Sequence, residues 1–591
     1  MNTLTTRIYF VVLFSMLTVL FVNSSMLALR NPLGEAPDEP AHMDYARFVA
    51  VNQRLPVQCA DPCRSDVPGE GHQPPLAYVI AALVTYPWID HNAWVPQSIN
   101  PTFVWNNGSD GQALIHGTRE LWPWQGTILA WRIMRMLSAV LITIAVGIVW
   151  LIARRITTPD IALAAVALLV ITPQTAIVGS TMSNDALLML FSSVAIYQSV
   201  TVTRRRSMLW LGLWLGLAII TKLSAVVLLP LILWSSWQSL RGHARLQGFI
   251  LASVVVAISS GWWFWRNYGL YGDVLGYQLF QQTYATGAID LSALSTWQQL
   301  VQQLLRSTWG VFGWMSLPMP DWWYVIGATL TIICGFGIGL RLSRTPRPHA
   351  IWWMFGILLG GAFVWLMSLG MTVGAVAWQS RLIIMIWPIT SIILAAGLIR
   401  GLGARLTPIA LVVIAMAGAS TSMTLWAAQI GPSFRFDMPA LSATETPLTV
   451  THNEVFVEKT SGGGILLIDS DVSPAPAPGQ TVTITLRWQV ITRPAQAWEV
   501  FVVVRNPQKQ WFVDVRDRMH PRIPSTVFTP GDRFISTHQV SIPAQLPTDE
   551  YIMQVGLVDT ATQQRAVKRN DAGKILGDSI NVSFSVGTPA P

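Results

Sequence analysis

The sequence predicts a polytopic α-helical membrane protein that ends in an antiparallel β-sandwich. The chain of 591 residues is 52% hydrophobic and only 12% charged, whereas soluble domains carry about 25% charged residues. Apolar runs of the roughly 20 residues needed to cross a bilayer recur as far as residue 430. Beyond that point short stretches alternate apolar and polar residues, the pattern of half-buried strands.

We expect about eleven transmembrane helices, the first a retained helix from about Ile8 to Leu29. Basic clusters follow every second apolar run, at Arg154-Arg155, 204–206, 241–245 and 341–347. Because such clusters mark cytoplasmic loops, the N-terminus is predicted to be cytoplasmic. The apolar segment that follows His72 and reaches Trp88 is interpreted as a helix on the membrane surface, not as a crossing.

This topology divides the chain into two predicted domains. Residues 1–430 form a membrane domain with two long outer loops, 30–125 and 265–321, and residues 431–591 form an extracytoplasmic β-sandwich domain. Strict alternation over 481–490 and similar later runs, separated by Pro, Gly and Asn, indicate the strands of the second domain. The predicted location is the plasma (inner) membrane.

One apolar run between the basic clusters at 204–206 and 241–245 is interrupted only by Thr221-Lys222. Since both ends are predicted to be cytoplasmic, the run must cross twice, with about 14 residues or ~21 Å in each half. That length is short for a full crossing. Lys222 is therefore expected below the outer surface, where a lysine needs an anion or a water-filled cavity.

Two acids and a histidine stand just after the first apolar run, in the segment Pro37-Asp38-Glu39-Pro40-Ala41-His42. An acid beside a histidine can take the proton of a hydroxyl nucleophile or bind a divalent metal. Asp38 also suits the N-cap of a helix that runs to Val51, and the two roles are compatible. His42 shares a helical face with Asp38, and its role stays open between catalyst, ligand and mere neighbour.

Polar residues elsewhere on the predicted outer side are further candidates. His72 and Gln73 either donate to a sugar or phosphate or only open a surface helix. Asp185 follows Asn184 at an outer turn, where ordinary turn chemistry competes with a role as a metal ligand. Arg381 lies at the start of a predicted helix, and Lys222 lies at a helix end. Cations in such positions can bind a lipid phosphate. Each cation taken singly is also explained by snorkelling of its side chain to the membrane interface.

The three cysteines indicate no metal centre of their own. Cys334 lies in an apolar run and is expected to be inert packing. Cys59 and Cys63 lie in the first long loop, and an extracytoplasmic position of that loop would allow a small disulfide between them. Metal binding by the two cysteines is the disfavoured alternative, because no second Cys/His pair stands nearby at zinc-site spacing, and whether they pair stays open.

Four motifs together resemble the GT-C integral-membrane glycosyltransferases. They are the acid pair Asp38-Glu39, the run His72-Gln73-Pro74-Pro75-Leu76, Thr221-Lys222 at a short hairpin, and Trp265-Arg266-Asn267 before Gly272-Asp273. The chain is similar over residues 1–430 to the branch of protein O-mannosyltransferases and aminoarabinose lipid A transferases. Such enzymes move a sugar from a polyprenyl-phosphate donor to an acceptor on the outer face of the membrane.

The resemblance implies roles for named residues. Asp38 is expected to act as general base, with Glu39 as the second catalytic residue. The predicted substrate-binding residues are His42, His72, Gln73, Lys222, Arg266, Asn267, Gln379 and Arg381. The resemblance does not imply a certain cofactor. Whether the protein binds a divalent metal ion stays open, and Asp185 is the candidate ligand for such an ion. The expected partners are a polyprenyl-phosphate sugar donor, membrane lipids, and a glycan, lipid or protein acceptor.

Two other classes of function compete with a glycosyltransferase. A transporter or flippase of lipid-linked sugars should carry ionisable residues at mid-membrane on several helices. Here the acids gather in outer loops. A non-catalytic protein of surface assembly is the second alternative. Nucleic acid is not an expected partner, because the basic residues occur in short clusters between apolar runs.

Overall fold

The computed structural model divides into two compact units. It describes residues 3–59, 65–90, 99–100, 103, 112–116, 120, 122–284, 289–344, 350–403, 406–431, 454–457, 464–508, 510–520, 525–528, 530–547, 549–560, 562–569 and 574–586. The first unit comprises Met1–Trp94, Val104–Gly111 and Gln125–Phe434. The second comprises Val95–Phe103, Gln112–Trp124 and Arg435–Pro591.

The first unit is helical. Its long apolar helices are α1 (Thr3–Arg30), α4 (Gly126–Ile156), α10 (His243–Tyr271), α13 (Asp321–Arg344), α14 (Ala350–Val373) and α16 (Pro408–Leu425). Its shorter helices are α2 (Glu39–Asn52), α3 (Leu76–Thr85), α5 (Pro159–Ile171), α6 (Pro173–Val178), α7 (Asp185–Thr201), α8 (Ser207–Thr221), α9 (Pro230–Ser239), α11 (Tyr277–Tyr284), α12 (Leu294–Trp309) and α15 (Trp387–Ala396). A two-stranded ribbon joins β1 (Val311–Phe312) and β2 (Leu317–Pro318).

The helices agree with the predicted multi-pass class. Among the described residues, seven segments are long and apolar enough to cross a membrane, the seventh being Ala375–Gly401 around α15. The other four predicted crossings correspond to shorter apolar helices, namely α5, α7, α8 and the segment Leu223–Ser239. The apolar run over residues 161–181 does not form one continuous helix, because Pro173 has no N–H to continue the hydrogen-bond ladder of α5 and starts α6 instead.

Close helix packing in the first unit depends on small residues. Where α13 passes the short segment Gly397–Gly401, a Cβ on Gly337 would lie 2.1 Å from the carbonyl oxygen of Gly397. No larger residue fits at such a distance. This contact fixes the end of the same helical segment that carries Arg381 at its other end.

The second unit contains two antiparallel sheets. Its strands are β3 (Glu454–Val457), β4 (Gly464–Ser473), β5 (Thr481–Thr492), β6 (Trp498–Arg505), β7 (Trp511–Arg518), β8 (Arg533–Ser541), β9 (Asp549–Asp559), β10 (Val567–Arg569), β11 (Ile575–Gly577) and β12 (Ile580–Val586). The sheet orders are β11-β10-β3-β4-β5-β8 and β12-β9-β6-β7. Alternate residues of both sheets, such as Val482 and Ile484 with Val500 and Val502, share one core. The predicted β-sandwich is thereby confirmed.

The domain boundaries 1–430 and 431–591 stay a prediction. The compact unit of the sandwich also takes in Val95–Phe103 and Gln112–Trp124 from the first long loop, and Ile115 of that loop packs in the sandwich core. In the same loop Cys59 is disulfide-bonded, while Cys63 lies outside the described residues. Cys334 is a buried free thiol, as expected.

Candidate active site

Asp38 stands at the N-cap position of α2 but does not use its side chain as a cap. Its backbone is left-handed, with φ 67° and ψ −5°, and Pro40 follows in the first turn of the helix. Its carboxylate instead accepts a hydrogen bond of 2.7 Å at Oδ2 from Nη2 of Arg381. Because the Asp38 side chain is 43% exposed, it remains open to a substrate.

Glu39, the neighbouring acid, is fully buried, and both of its carboxylate oxygens accept hydrogen bonds. Arg135 donates to both of its oxygens, through Nε at 2.7 Å and Nη2 at 2.6 Å. Trp131 Nε1 (3.1 Å), the backbone N–H of Met182 (2.8 Å) and that of Gly34 (3.0 Å) also donate to this carboxylate. The catalytic role expected for Glu39 stays a prediction, and the contacts are those of an anchor between the first loop, α4 and the start of α7.

Four charged side chains from distant parts of the chain form a continuous row. Lys222, in the extended link after α8, donates to Oδ1 of buried Asp185 at 2.5 Å. The other oxygen of Asp185 lies 3.6 Å from Nη1 of Arg381, whose Nη2 binds Asp38. Gln379 accepts from Nε of Arg381 at 2.8 Å and so holds the guanidinium in place. The structure thus brings together four predicted residues that the sequence separates by up to 343 positions.

A ring stack beside this row holds His42. Nδ1 of His42 lies 2.8 Å from the hydroxyl of Tyr78, and the rings of Tyr45 and Tyr78 stack at 4.0 Å. The Asn184 amide donates to the Tyr78 hydroxyl at 3.2 Å and to Oε1 of Gln73 at 3.0 Å. Two predicted residues, His42 and Gln73, are therefore joined through Tyr78 and Asn184, neither of which was among the predicted site residues.

Glu70 is an acid of this site that sequence reasoning missed. It is 5% exposed, and its Oε2 has no hydrogen-bond partner. That oxygen lies 3.8 Å from Nδ1 of His42. Asp38, His42 and Glu70 each offer one ligand atom, and these atoms lie within 4.8 Å of one another. The oxygens of Asp185, the predicted metal ligand, instead face Lys222 and Arg381, and its role as a ligand stays a prediction.

Burial and nearby charges set the protonation of these groups. The partial loss of solvent around Asp38 would raise its pKa, but the charge of Arg381, helped by its hydrogen bond, holds that pKa below its ordinary value. Burial lowers the pKa of His42 to about 4. Burial, reinforced by the charge of Asp38, raises the pKa of Glu70 well above its ordinary value. At neutral pH the site therefore pairs an ionised Asp38 with a neutral imidazole.

The remaining predicted residues form a second group. The backbone N–H and Nδ1 of His72 both lie 3.1 Å from Oε1 of Gln58. Arg266 donates to the carbonyl of Pro56 at 2.7 Å and lies over the ring of Trp263. Asn267 is buried, and its Oδ1 has no hydrogen-bond partner. The hydrogen bonds of His72 and Arg266 thus run to residues 55–58 of the first loop.

A small cleft, partly open to solvent, lies beside the charged row. Its polar end is formed by Asp185, Gln379 and Arg381. The rest of the lining is mixed, with the apolar Ile177, Val178, Val311 and Met315 beside the polar Gln174, Thr181 and Ser183. The cleft therefore offers a cation and apolar side chains to the same ligand.

Comparison with known proteins adds a partial family match. Residues 130–265 match the model of the family described as dolichyl-phosphate-mannose-protein mannosyltransferase. No curated protein matches the chain. Among solved structures, ArnT from Cupriavidus metallidurans bound to undecaprenyl phosphate is 16% identical, with a TM-score of 0.42, over 72% of this chain and 64% of that one. An oligosaccharyltransferase from Archaeoglobus fulgidus, tethered with an acceptor peptide, is 9% identical, with a TM-score of 0.33, over 69% and 55%.

The structural similarities are distant. The C-terminal domain of wzt is 13% identical, with a TM-score of 0.16, over 21% of this chain and 76% of that domain. The similarity to ArnT spans less than two thirds of the length of ArnT. All three TM-scores are too low to support an inference about shared ligands. Over residues 130–265 the chain is similar to the dolichyl-phosphate-mannose-protein mannosyltransferase family, in agreement with the resemblance predicted from its motifs.

Proposed function

We propose that this protein transfers a sugar from a polyprenyl-phosphate donor to a glycan, lipid or protein acceptor on the outer face of the plasma (inner) membrane. The observation that carries the proposal is the position of Arg381, between Asp38 and Asp185 in a cleft that is lined by polar and apolar side chains. A guanidinium can bind a phosphate through two parallel hydrogen bonds, and Lys222 adds a second cation. The family match over residues 130–265 supports the same class of reaction.

In the proposed reaction the acceptor hydroxyl attacks the anomeric carbon of the donor sugar. Asp38 takes the hydroxyl proton as the new carbon–oxygen bond forms. The bond between the anomeric carbon and the phosphate oxygen breaks, and its electron pair leaves with the lipid phosphate. Arg381 and Lys222 balance the charge of that leaving group. Direct displacement of this kind inverts the configuration of the anomeric carbon.

Neighbouring residues keep Asp38 in position. Glu39 anchors the start of α2 through its pair with Arg135, so a positioning role suits it better than proton transfer. Gln379 orients the guanidinium of Arg381. We assign the sugar and acceptor hydroxyls to His72, Gln73, Arg266 and Asn267. The unpartnered Oδ1 of buried Asn267 supports that assignment, because a buried acceptor without a donor favours a ligand that supplies one.

The variant Asp38→Asn tests the proposal without disturbing the backbone, because Asn tolerates the left-handed conformation of residue 38. The donor sugar is first identified by mass spectrometry of the lipid that copurifies with the full chain. Transfer from that lipid is then measured for the parent, for Asp38→Asn and for the control Asp66→Asn, whose acid pairs with Arg54 elsewhere in the same loop. We expect Asp38→Asn to be slower by about 100-fold or more and the control to match the parent.

Two results would overturn parts of this proposal. If Asp38→Asn transfers sugar as fast as the parent, Asp38 is not the base. If the parent carries the lipid from one leaflet of a vesicle to the other but never transfers its sugar, the protein is a flippase of lipid-linked sugars and not a transferase.

A further inference from the structure

A buried amide in the cleft has an acceptor atom that no described residue satisfies. Gln174 lines the same cleft as Arg381 and Asp185. It is 4% exposed, and its Oε1 has no hydrogen-bond partner among the described residues. A buried carbonyl oxygen without a donor is costly, because it loses water on folding and gains no bond in exchange. Such an atom in a cleft is expected where a ligand supplies the missing donor.

The local backbone directs this amide toward the cleft. Gln174 stands in the first turn of α6, and Ile177 and Val178 line the same cleft three and four positions later. Residues at this spacing share one face of a helix, so the face that begins with Gln174 is the one turned to the cleft. The start of α6 is closely packed, since a Cβ on Gly310 would lie 2.9 Å from the Cβ of Pro173. The amide is therefore held in place before a ligand arrives.

The chemistry of the unsatisfied atom distinguishes the parts of a lipid-linked sugar. Ionised phosphate oxygens only accept hydrogen bonds, so they suit the guanidinium of Arg381 and cannot satisfy Oε1 of Gln174. A polyprenyl chain has no hydrogen to donate. Hydroxyl and amino groups of a sugar do donate, and the sugar is attached directly to the phosphate. The part of the donor that fits beside Gln174 is therefore the sugar.

We infer that Gln174 binds a hydroxyl or amino group of the donor sugar while Arg381 holds the phosphate to which that sugar is attached. This inference rests on the proposed function. The cleft is small and partly open to solvent, so it takes one edge of the sugar ring. The four polar residues assigned above to sugar and acceptor hydroxyls are not among the described residues that line it. The cleft thus recognises the donor, and those four residues are left to recognise the acceptor.

This contact makes Gln174 a specificity-determining residue. A site built to bind a substrate hydroxyl rejects an analogue that lacks it, because the polar atom of the site is then left buried and unpaired. A donor whose sugar carries hydrogen or a methyl ether at the position bound by Gln174 should therefore be a poor substrate.

The variant Gln174→Met tests the contact, because Met keeps an unbranched side chain of similar length and removes both polar groups of the amide. Affinities of the purified full chain are measured by thermophoresis for two probes, the sugar-linked lipid that copurifies with the protein and undecaprenyl phosphate, which has no sugar. We expect Gln174→Met to bind the sugar-linked lipid about tenfold more weakly than the parent and undecaprenyl phosphate equally well. In the transfer assay its KM for the donor should rise about tenfold, with a kcat near that of the parent.

The matched control is Gln198→Met, the same change in α7, where the amide donates to the carbonyl of Ser207 at 3.3 Å. It should bind both lipids as the parent does. Gln174→Met removes an unpartnered buried amide, so its thermal midpoint without ligand should equal or exceed that of the parent. A midpoint well below the parent's would show that the protein itself satisfies the amide, and it would overturn the inference.

Two binding results would also overturn the sugar contact. One is an unchanged affinity of Gln174→Met for the sugar-linked lipid. The other is an equal loss of affinity for both lipids, which would place Gln174 at the phosphate. Sugar transfer by the parent in the same assay then leaves the proposed function standing.

Discussion

Replacement of Glu39 by glutamine separates an anchoring carboxylate from a catalytic one. Glu39→Gln keeps the size of the side chain but leaves the guanidinium of Arg135 buried and without its counter-charge. The exposed fractions of the two side chains are 0% for Glu39 and 1% for Arg135. Breaking such a pair by removing one partner costs about 3–5 kcal/mol. We therefore expect a clear fall in the thermal midpoint, together with a loss of activity that follows the loss of folded protein.

Asp38→Asn provides the matched comparison, since it is the same chemical change one residue earlier. The Asp38 side chain is 43% exposed, and partly exposed ion pairs contribute only about 0–1 kcal/mol. Its partner Arg381 also keeps the carboxylate of Asp185 within 3.6 Å. Asp38→Asn should therefore unfold close to the parent temperature and yet transfer sugar about 100-fold more slowly or worse.

The assay combines thermal unfolding in detergent, followed by tryptophan fluorescence, with transfer rates taken at a temperature where every variant is folded. The anchoring role predicts that Glu39→Gln loses stability first and retains measurable transfer when folded. The opposite pattern, parental stability with a loss of transfer as large as that of Asp38→Asn, would show that Glu39 takes part in the reaction.

Further predictions concern the cations and the packing around them. Arg381→Gln removes the main charge that lowers the pKa of Asp38, so the pKa of Asp38 should rise. The acid limb of the pH–rate profile should then move to higher pH. An acid limb that stays in place at saturating donor would contradict the assignment of Asp38 as the base. Lys222→Gln should weaken binding of polyprenyl phosphate, measured by thermophoresis, about tenfold, and unchanged affinity would exclude Lys222 from the phosphate site. A Cβ on Gly370 would lie 2.0 Å from an indole nitrogen, whereas Gly360 in the same helix faces open space, so only Gly370→Ala should lower the thermal midpoint.

The helix-end residues of the site could be predicted from topology. Basic clusters predict which side each loop faces, and that prediction assigns Asp38, Asp185 and Arg381 to one side of the membrane before any contact is known. The short halves of the hairpin predict that Lys222 is not in bulk water, and it is 13% exposed and paired with Asp185. The low exposure of Lys222 could be predicted because it depends on run length and charge, which are local properties of the chain.

Other parts of the site depend on contacts that no local pattern encodes. Glu70 lies in a polar, glycine-containing loop without periodicity, so nothing indicated that its side chain is buried beside His42. Arg135 did leave a signal. It is a charge inside a long apolar run, and such a residue requires an anionic partner. That requirement indicates an acid nearby but cannot choose Glu39, which lies 96 positions away, over Asp38.

The row of Lys222, Asp185, Arg381 and Asp38 is electrically neutral as it stands, with two charges of each sign. A lipid phosphate that reaches Arg381 must therefore compete with carboxylates of the protein for the same guanidinium. Each exchange that seats the phosphate deprives Asp38 of its cation and makes it a stronger base. In the proposed reaction this competition would couple donor binding to the basicity of Asp38, so that the acceptor would meet its strongest base only after the donor has bound.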